Sequence, residues 1–383
     1  MRDVAIIGVG LTPVGEHWDT SLRQMAADAA AKALQDAGNL RPEALYLGNA
    51  YGSTMSSQTQ LAALVADNLG LDGIEALSVE AAEASGAAAL RAGYLAVASG
   101  AVDIALVVGA EKMTDSIAAT RIAARGVSLD ADYEAAHGAT LTALAAMLMR
   151  RYMYEYNLGL DAFEGFAINA HANGARSQHA MFRSPIKPGR YAQAPMVADP
   201  INLFDSAPDA DGAAALVLTA GDRAADLVPV PVYIAGSAVA TDTLALHDRA
   251  DLLYLKAAAY SAQRAYAQAG ITPTDVDLFE LHDAFTVISA LSLEASGFAE
   301  RGEGWKLARD GDILLNGRLP ISTFGGLKSR GNPAGAAGVY QAGEACLQLR
   351  GAAGDNQVAG AKVALVQNLG GLGSTAITHV LRG

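Results

Sequence analysis

The stretch Glu80–Leu90, EAAEASGAAAL, places a carboxylate, Glu83, where a run of small residues passes from a strand into a helix. The start of a helix carries unpaired N–H groups and the positive end of the helix dipole, so it suits an anion or an activated nucleophile. A second group of reactive types is Glu280-Leu281-His282-Asp283-Ala284-Phe285. It follows an apolar run at 276–279 and puts an imidazole at the C-terminal end of a strand, where α/β sites usually lie. His282 is either a catalytic donor or base, or a satisfied structural histidine. The third group is glycine-rich: Gly331-Asn332-Pro333-Ala334-Gly335-Ala336-Ala337-Gly338, and Asn368-Leu369-Gly370-Gly371 near the end. Loops of this kind let backbone N–H groups approach a ligand closely and form an oxyanion hole.

These residues need rigid elements to hold them. Val4-Ala5-Ile6-Ile7 and Ile104-Ala105-Leu106-Val107-Val108 are continuous apolar runs, alternating with helical stretches at about 21–37 and 85–99. That alternation predicts an α/β fold with a mostly parallel sheet buried on both faces. An internal repeat supports the same conclusion: Ala37-Gly38, Pro42 and Tyr46-Leu47 recur as Ala269-Gly270, Pro273 and Val276-Asp277-Leu278. Ala84-Ser85-Gly86-Ala87-Ala88-Ala89 likewise recurs as Pro333-Ala334-Gly335-Ala336-Ala337-Gly338, each leading through a helix to a strand. The expected organisation is an N-terminal half, 1–228, and a C-terminal half, 229–383. Within the first half, about 113–205 is richer in His, Arg, Met and Tyr and reads as a loop domain over the core.

Composition narrows the function classes. Of 383 residues, 51% are hydrophobic, 17% charged, and 40 are glycine, which implies extensive burial and a large subunit interface and excludes disorder. No run of about 18 uninterrupted apolar residues is present, so no membrane-spanning helix is expected. Arg2 to Ile7 enters a strand directly, without the layout of a signal peptide. A single cysteine, Cys346, excludes a disulfide framework and fits a cytoplasmic location. The net charge of −13 argues against nucleic acid as a partner.

Two tempting motifs fail. Gly8-Val9-Gly10 lacks the third glycine of a dinucleotide fingerprint and has Pro13 in the turn, and Gly325-Gly326-Leu327-Lys328-Ser329 lacks the first glycine of a phosphate loop. The seven histidines show no metal-ligand spacing, so no metal is expected.

Six ordered motifs together resemble the thiolase superfamily, close to the sterol-carrier-protein and archaeal type. They are Ala84-Ser85-Gly86, Gly109-Ala110-Glu111-Lys112-Met113-Thr114, Asp209-Ala210-Asp211-Gly212-Ala213-Ala214-Ala215, His282-Asp283-Ala284-Phe285, Gly325 to Pro333, and Asn368-Leu369-Gly370-Gly371. The resemblance implies two βαβαβαββ halves in a five-layered αβαβα core with a loop domain, a homodimer, and an acyl-CoA substrate with no tightly bound cofactor. It also implies departures. Glu83 stands where thiolases have the nucleophilic cysteine, Asn332 where they have the histidine of a Gly-His-Pro motif, and Ala284 where the nearest subtype has its acid/base cysteine. Cys346 matches none of these positions.

A carboxylate attacking a thioester would give a mixed anhydride prone to hydrolysis. The resemblance therefore points to non-covalent carbon–carbon chemistry of the retro-aldol type, as in the thiolase-like steroid side-chain aldolases. Those relatives work with a small partner carrying an oligonucleotide-binding-type fold and a zinc ribbon. The implied catalytic residues are Glu83, His282, Asn332 and Tyr340, with Ser85, Gly86, Gly335, Asn368, Gly370 and Gly371 around the substrate oxygen. Two other readings stand beside it: a non-catalytic acyl-CoA-binding or scaffold subunit with Glu83 as a helix cap, and a conventional acyl-CoA C-acyltransferase.

Overall fold

The computed structural model describes residues 2–383. The N-terminal half contributes β1 (Val4–Leu11), β2 (Ala44–Gly48), β3 (Glu75–Val79), β4 (Ile104–Glu111) and β5 (Gly212–Ala220). The C-terminal half contributes β6 (Val232–Thr241), β7 (Leu278–Glu280), β8 (Val363–Gly370) and β9 (Thr375–Arg382). They form one nine-stranded sheet in the order β3-β2-β4-β5-β1-β6-β9-β8-β7. The halves meet where β1 and β6 pair antiparallel at Ala5–Tyr233 and Ile6–Val232. Only β2 with its two neighbours, and β7 with β8, run parallel, so the sheet is more mixed than the alternation of elements suggests.

The helices are α1 (Leu22–Asp36), α2 (Ser85–Ser99), α3 (Ala118–Arg125), α4 (Leu141–Tyr156), α5 (Glu164–Gly174), α6 (Lys256–Ala269), α7 (Thr286–Ala295) and α8 (Ala337–Leu349). α2 and α8 pack on each other and touch strands of both halves, α1 covers the outer face of the first half, and α6 that of the second. The result is five layers. Strand side chains alternate accordingly: Ala5, Ile7, Leu106 and Val108 join the outer core under α1, while Val4, Ile6, Ala105 and Val107 join the central one. With both faces covered, these strands read as unbroken apolar runs.

Small residues set the layer spacing. A Cβ on Gly8 or Gly10 would lie 2.2 or 2.1 Å from a carbonyl oxygen of α1, so this pair serves helix-on-sheet packing. The repeat is imperfect at its far edge. The counterpart of the β2–β3 pairing is a lone parallel bridge between Phe279 and Ile321, so the second half has four strands and not five. Pro320 has no N–H to donate, and Ser322 turns left-handed at φ 47°, which ends the extension after one residue.

Between β4 and β5 the chain leaves the sheet and forms α3, α4 and α5. Among the described residues no helix is long and apolar enough to cross a membrane.

Candidate active site

β3 ends at Val79, and α2 begins at Ser85 after a tight turn in which Ala82 adopts φ 51°. For a residue with a Cβ the left-handed region costs about 1–2 kcal/mol, and here the neighbouring backbone compels it. The Ser85 hydroxyl accepts from the Ala81 N–H at 2.9 Å and donates to the Ala82 carbonyl at 2.6 Å, which closes the turn. Gly370 permits the end of β8 to press on this turn, since a Cβ there would lie 2.6 Å from the Ala81 carbonyl oxygen. Gly86 allows the first turn of α2 to meet the Gly335 carbonyl, 2.7 Å from where its Cβ would stand. Ser85, Gly86 and Gly370 therefore shape the site through packing and turn closure.

The turn aims Glu83 inward, where it is 2% exposed. One carboxylate oxygen accepts from the Tyr51 hydroxyl and, at 3.4 Å, from Ser128. The other accepts from the Gly371 N–H at 2.8 Å. The Gly371 amide, expected to face a substrate oxygen, is thus engaged by Glu83. Tyr51 is fully buried; burial, and then the charge of Glu83, hold its phenol well above the usual value, so it stays a donor.

His282 lies two residues beyond β7 and is 2% exposed. Its Nδ1 is 3.1 Å from Asn368 Nδ2. Asn368 and Gly371, three residues apart at the end of β8, thus reach His282 and Glu83 respectively, which brings the two side chains into one buried region. Burial lowers the imidazole to about 4, the Glu83 charge opposes that, and Arg125, Arg330 and Lys328 reinforce it. The ring is neutral near pH 7.

Arg125, the last residue of α3, links this region to a cavity of about 1060 Å³ under the excursion between β4 and β5. Its guanidinium donates to Asp209 at 2.8 Å and feels the charge of Glu83. Arg121, Lys187, Arg190 and Lys328 also line the cavity, interleaved with Ile122, Phe182, Ile186, Val197 and Phe204. Lys328 is buried beside Asp283 and Asp205, and burial pulls its ammonium down to about 8. The motif around it is no phosphate loop: the Leu327 N–H donates to Asp283 at 2.7 Å, so a buried carboxylate takes the place of an anion there.

Three other expected residues lie differently. The Tyr340 hydroxyl donates to the Thr12 carbonyl at 2.9 Å and lies 3.0 Å from Thr12 Oγ1, and the ring is wholly buried, so this phenol is committed to the core. Burial pushes its pKa further up. The Gly335 N–H donates to Glu111 at 3.1 Å, and a Cβ on Gly335 would meet the Ala50 nitrogen at 2.4 Å, so neither its amide nor its Cα is open to a ligand. Asn332 pairs through its backbone with Pro208 and Ala210 beside the cavity, and its buried Oδ1 has no partner among the described residues. Cys346 sits in the middle of α8, and burial drives its thiol up to about 12.

Tyr51, Ser128 and Arg125 belong to no motif of the sequence. Glu111 does lie within Gly109–Thr114, but its use, accepting from Asn49, Ala50, Tyr51 and Gly335, appears only when two distant loops converge.

A five-layered α/β core with a helix-head site between its two halves is the architecture of the thiolases. The chain belongs to the thiolase family: residues 4–199 match the thiolase N-terminal domain and residues 238–383 the thiolase C-terminal domain-like family. It is 42% identical over 382 residues to an acetyl-CoA acetyltransferase of Methanothermobacter thermautotrophicus, covering 99% of each chain. It is 31% identical to the benzoylsuccinyl-CoA thiolase subunit BbsB of Thauera aromatica, over 100% of this chain and 95% of that protein. Among solved structures, an Ltp2–ChsH2(DUF35) aldolase superposes with a TM-score of 0.86 at 26% identity, over 100% of this chain and 98% of that one.

Proposed function

We propose that this protein acts on acyl-CoA thioesters by making or breaking a carbon–carbon bond without a covalent enzyme intermediate, in the retro-aldol sense. One observation carries the reading: a buried carboxylate, Glu83, stands just before α2 with its charge acting on a neutral imidazole, His282, while the lone thiol is locked inside α8. On this reading Glu83, Asn332 and Ala284 occupy the positions of the nucleophilic cysteine, the Gly-His-Pro histidine and the acid/base cysteine, so the proton transfers of thiolysis have no agents.

Retro-aldol cleavage asks for less. Glu83 takes the proton from the C3 hydroxyl of a 3-hydroxyacyl-CoA, and the C2–C3 bond breaks with its electron pair moving into the thioester enolate. His282 donates a hydrogen bond to the enolate oxygen, the aldehyde or ketone departs, and a proton returns to C2 to give the shortened acyl-CoA. Arg121, Arg125, Lys187 and Arg190 suit the CoA phosphates, and the apolar cavity wall suits pantetheine and acyl chain.

The 42% relative's name favours a second reading, a conventional acyl-CoA acyltransferase. Incubating the protein with a panel of 3-hydroxyacyl-CoA thioesters separates the two. Carbonyl product without a change in free thiol supports cleavage, whereas thiol change with acetoacetyl-CoA, with no carbonyl release, sinks it. The likeness to an aldolase that contains a DUF35 component supports a small partner with an oligonucleotide-binding-type fold and zinc ribbon; co-purification from the native host tests it. The half-exposed Leu77 on the edge strand β3 supports a homodimer formed through the sheet edges, and sedimentation showing only a 39.2 kDa monomer would count against that.

A further inference from the structure

We propose that Gln341, buried on α8, is a positioning residue that fixes the tautomer of His282 through Asn368, placing the ring proton on Nε2. Gln341 lies on α8 and is 1% exposed. Its side-chain nitrogen sits 3.3 Å from two backbone carbonyl oxygens, those of Glu280 at the end of β7 and Gln367 on β8. Carbonyl oxygens only accept, so the atom between them must be the NH2 group, and the oxygen of the same amide must point the other way. That oxygen lies 2.7 Å from one terminal atom of the Asn368 side chain. An acceptor demands a donor, so this atom is Nδ2. Its second hydrogen is directed at His282 Nδ1, 3.1 Å away. The ring nitrogen must then present a lone pair, and the proton of the neutral ring resides on Nε2.

The chain of donors runs one way, and each link forbids the reverse. Protonating His282 would put an N–H on Nδ1 against the Asn368 N–H. Turning Asn368 over would set its oxygen against the Gln341 oxygen, and turning Gln341 over would set an oxygen against two carbonyls. Both amides are buried, so none of these clashes is relieved by water. The lock therefore makes His282 an obligate Nε2 donor and keeps it from serving as an acid through Nδ1. The charged groups acting on the ring are Glu83, which favours protonation, and Arg125, Arg330 and Lys328, which oppose it. This function for the lock rests on the reading of His282 as the enolate-oxygen donor, but the tautomer itself does not.

Nitrogen-15 NMR of histidine-labelled protein without substrate tests it, with the His282 signals identified as those missing from His282→Asn. The expected wild-type spectrum shows a pyrrole-type Nε2, a pyridine-type Nδ1, and no titration down to pH 5. In Gln341→Leu the amide of Asn368 is released, both tautomers appear, and the ring's proton affinity rises at least tenfold. In Asn368→Asp, where Nδ1 meets an acceptor, the proton moves to Nδ1. A wild-type ring protonated on Nδ1, or titrating above pH 6, overturns the proposal even if neither variant folds. So does a folded Gln341→Leu protein with an unchanged His282 spectrum. If the spectra behave as expected while no 3-hydroxyacyl-CoA is cleaved, the lock stands and the reaction assigned to the site falls.

Discussion

Replacing Glu83 by glutamine removes the proposed base while disturbing its surroundings least. In the wild type the carboxylate accepts from the Tyr51 hydroxyl on one oxygen and from the Gly371 N–H on the other. Glutamine keeps one oxygen, which can stay on Gly371. Its NH2 then faces Tyr51, a hydroxyl that can accept once its own proton turns to Ser128 Oγ, 2.8 Å away. Every polar group keeps a partner. The cost is the difference between charge-assisted and neutral hydrogen bonds, about 1 kcal/mol. Arg125 loses one neighbouring charge but retains Asp209 at 2.8 Å. Stability should therefore fall little, and the affinity for a CoA thioester, read by calorimetry, should stay within about threefold, less than ~1 kcal/mol. Losing a general base costs roughly 10²–10⁴ in rate, so kcat for carbonyl release should drop by that factor at pH 7. A Glu83→Gln enzyme with kcat within threefold of wild type would refute the base assignment and leave Glu83 as a structural tie between the turn before α2 and Tyr51, Ser128 and Gly371.

Glu83→Cys should give a thiol that an alkylating agent labels slowly but no thiolase-like turnover of acetoacetyl-CoA, because Asn332 and Ala284 move no protons; turnover would show that cysteine was the only missing part. His379 is buried far along β9, its Nε2 near the Ala87 carbonyl, and burial lowers it to about 4. Its folded-state pKa lies below that of the unfolded chain, so stability is lost as pH falls from about 6.5 to 4, by on the order of 3 kcal/mol. His379→Gln should flatten that part of the pH–Tm curve, and an unaltered curve would show that the histidine does not carry it. Gly335→Ala should lower stability by about 1–3 kcal/mol in denaturant melts, since the added methyl meets backbone and cannot be relieved by a rotamer change; a melt unchanged from wild type would mean the loop against Ala50 yields freely.

Much of the frame was legible in residue order because it is set by local rules. Unbroken apolar runs such as 104–108 mark strands covered on both faces, and α2 spans Ser85–Ser99 as its small-residue start and following glycine imply. The halves were legible because the same glycine and alanine spacing recurs wherever helix and sheet approach closely. The places of Glu83 and His282, a strand-to-helix turn and the end of a strand, were legible because local chain reversals mark both. What each group touches was decided only by the tertiary structure. Tyr340 and Glu83 are equally good candidates as letters, yet one phenol is spent on Thr12 across 328 positions and one carboxylate gathers donors from Tyr51, Ser128 and Gly371. Gly335 and Gly371 lie in similar loops, and convergence with Glu111 and Glu83 gives their amides different partners. Hydrogen bonds between buried groups depend on register and on which side of a helix faces which strand end. Those distances are set by the packing of five layers, to which every residue of the core contributes, and no short stretch of chain encodes them.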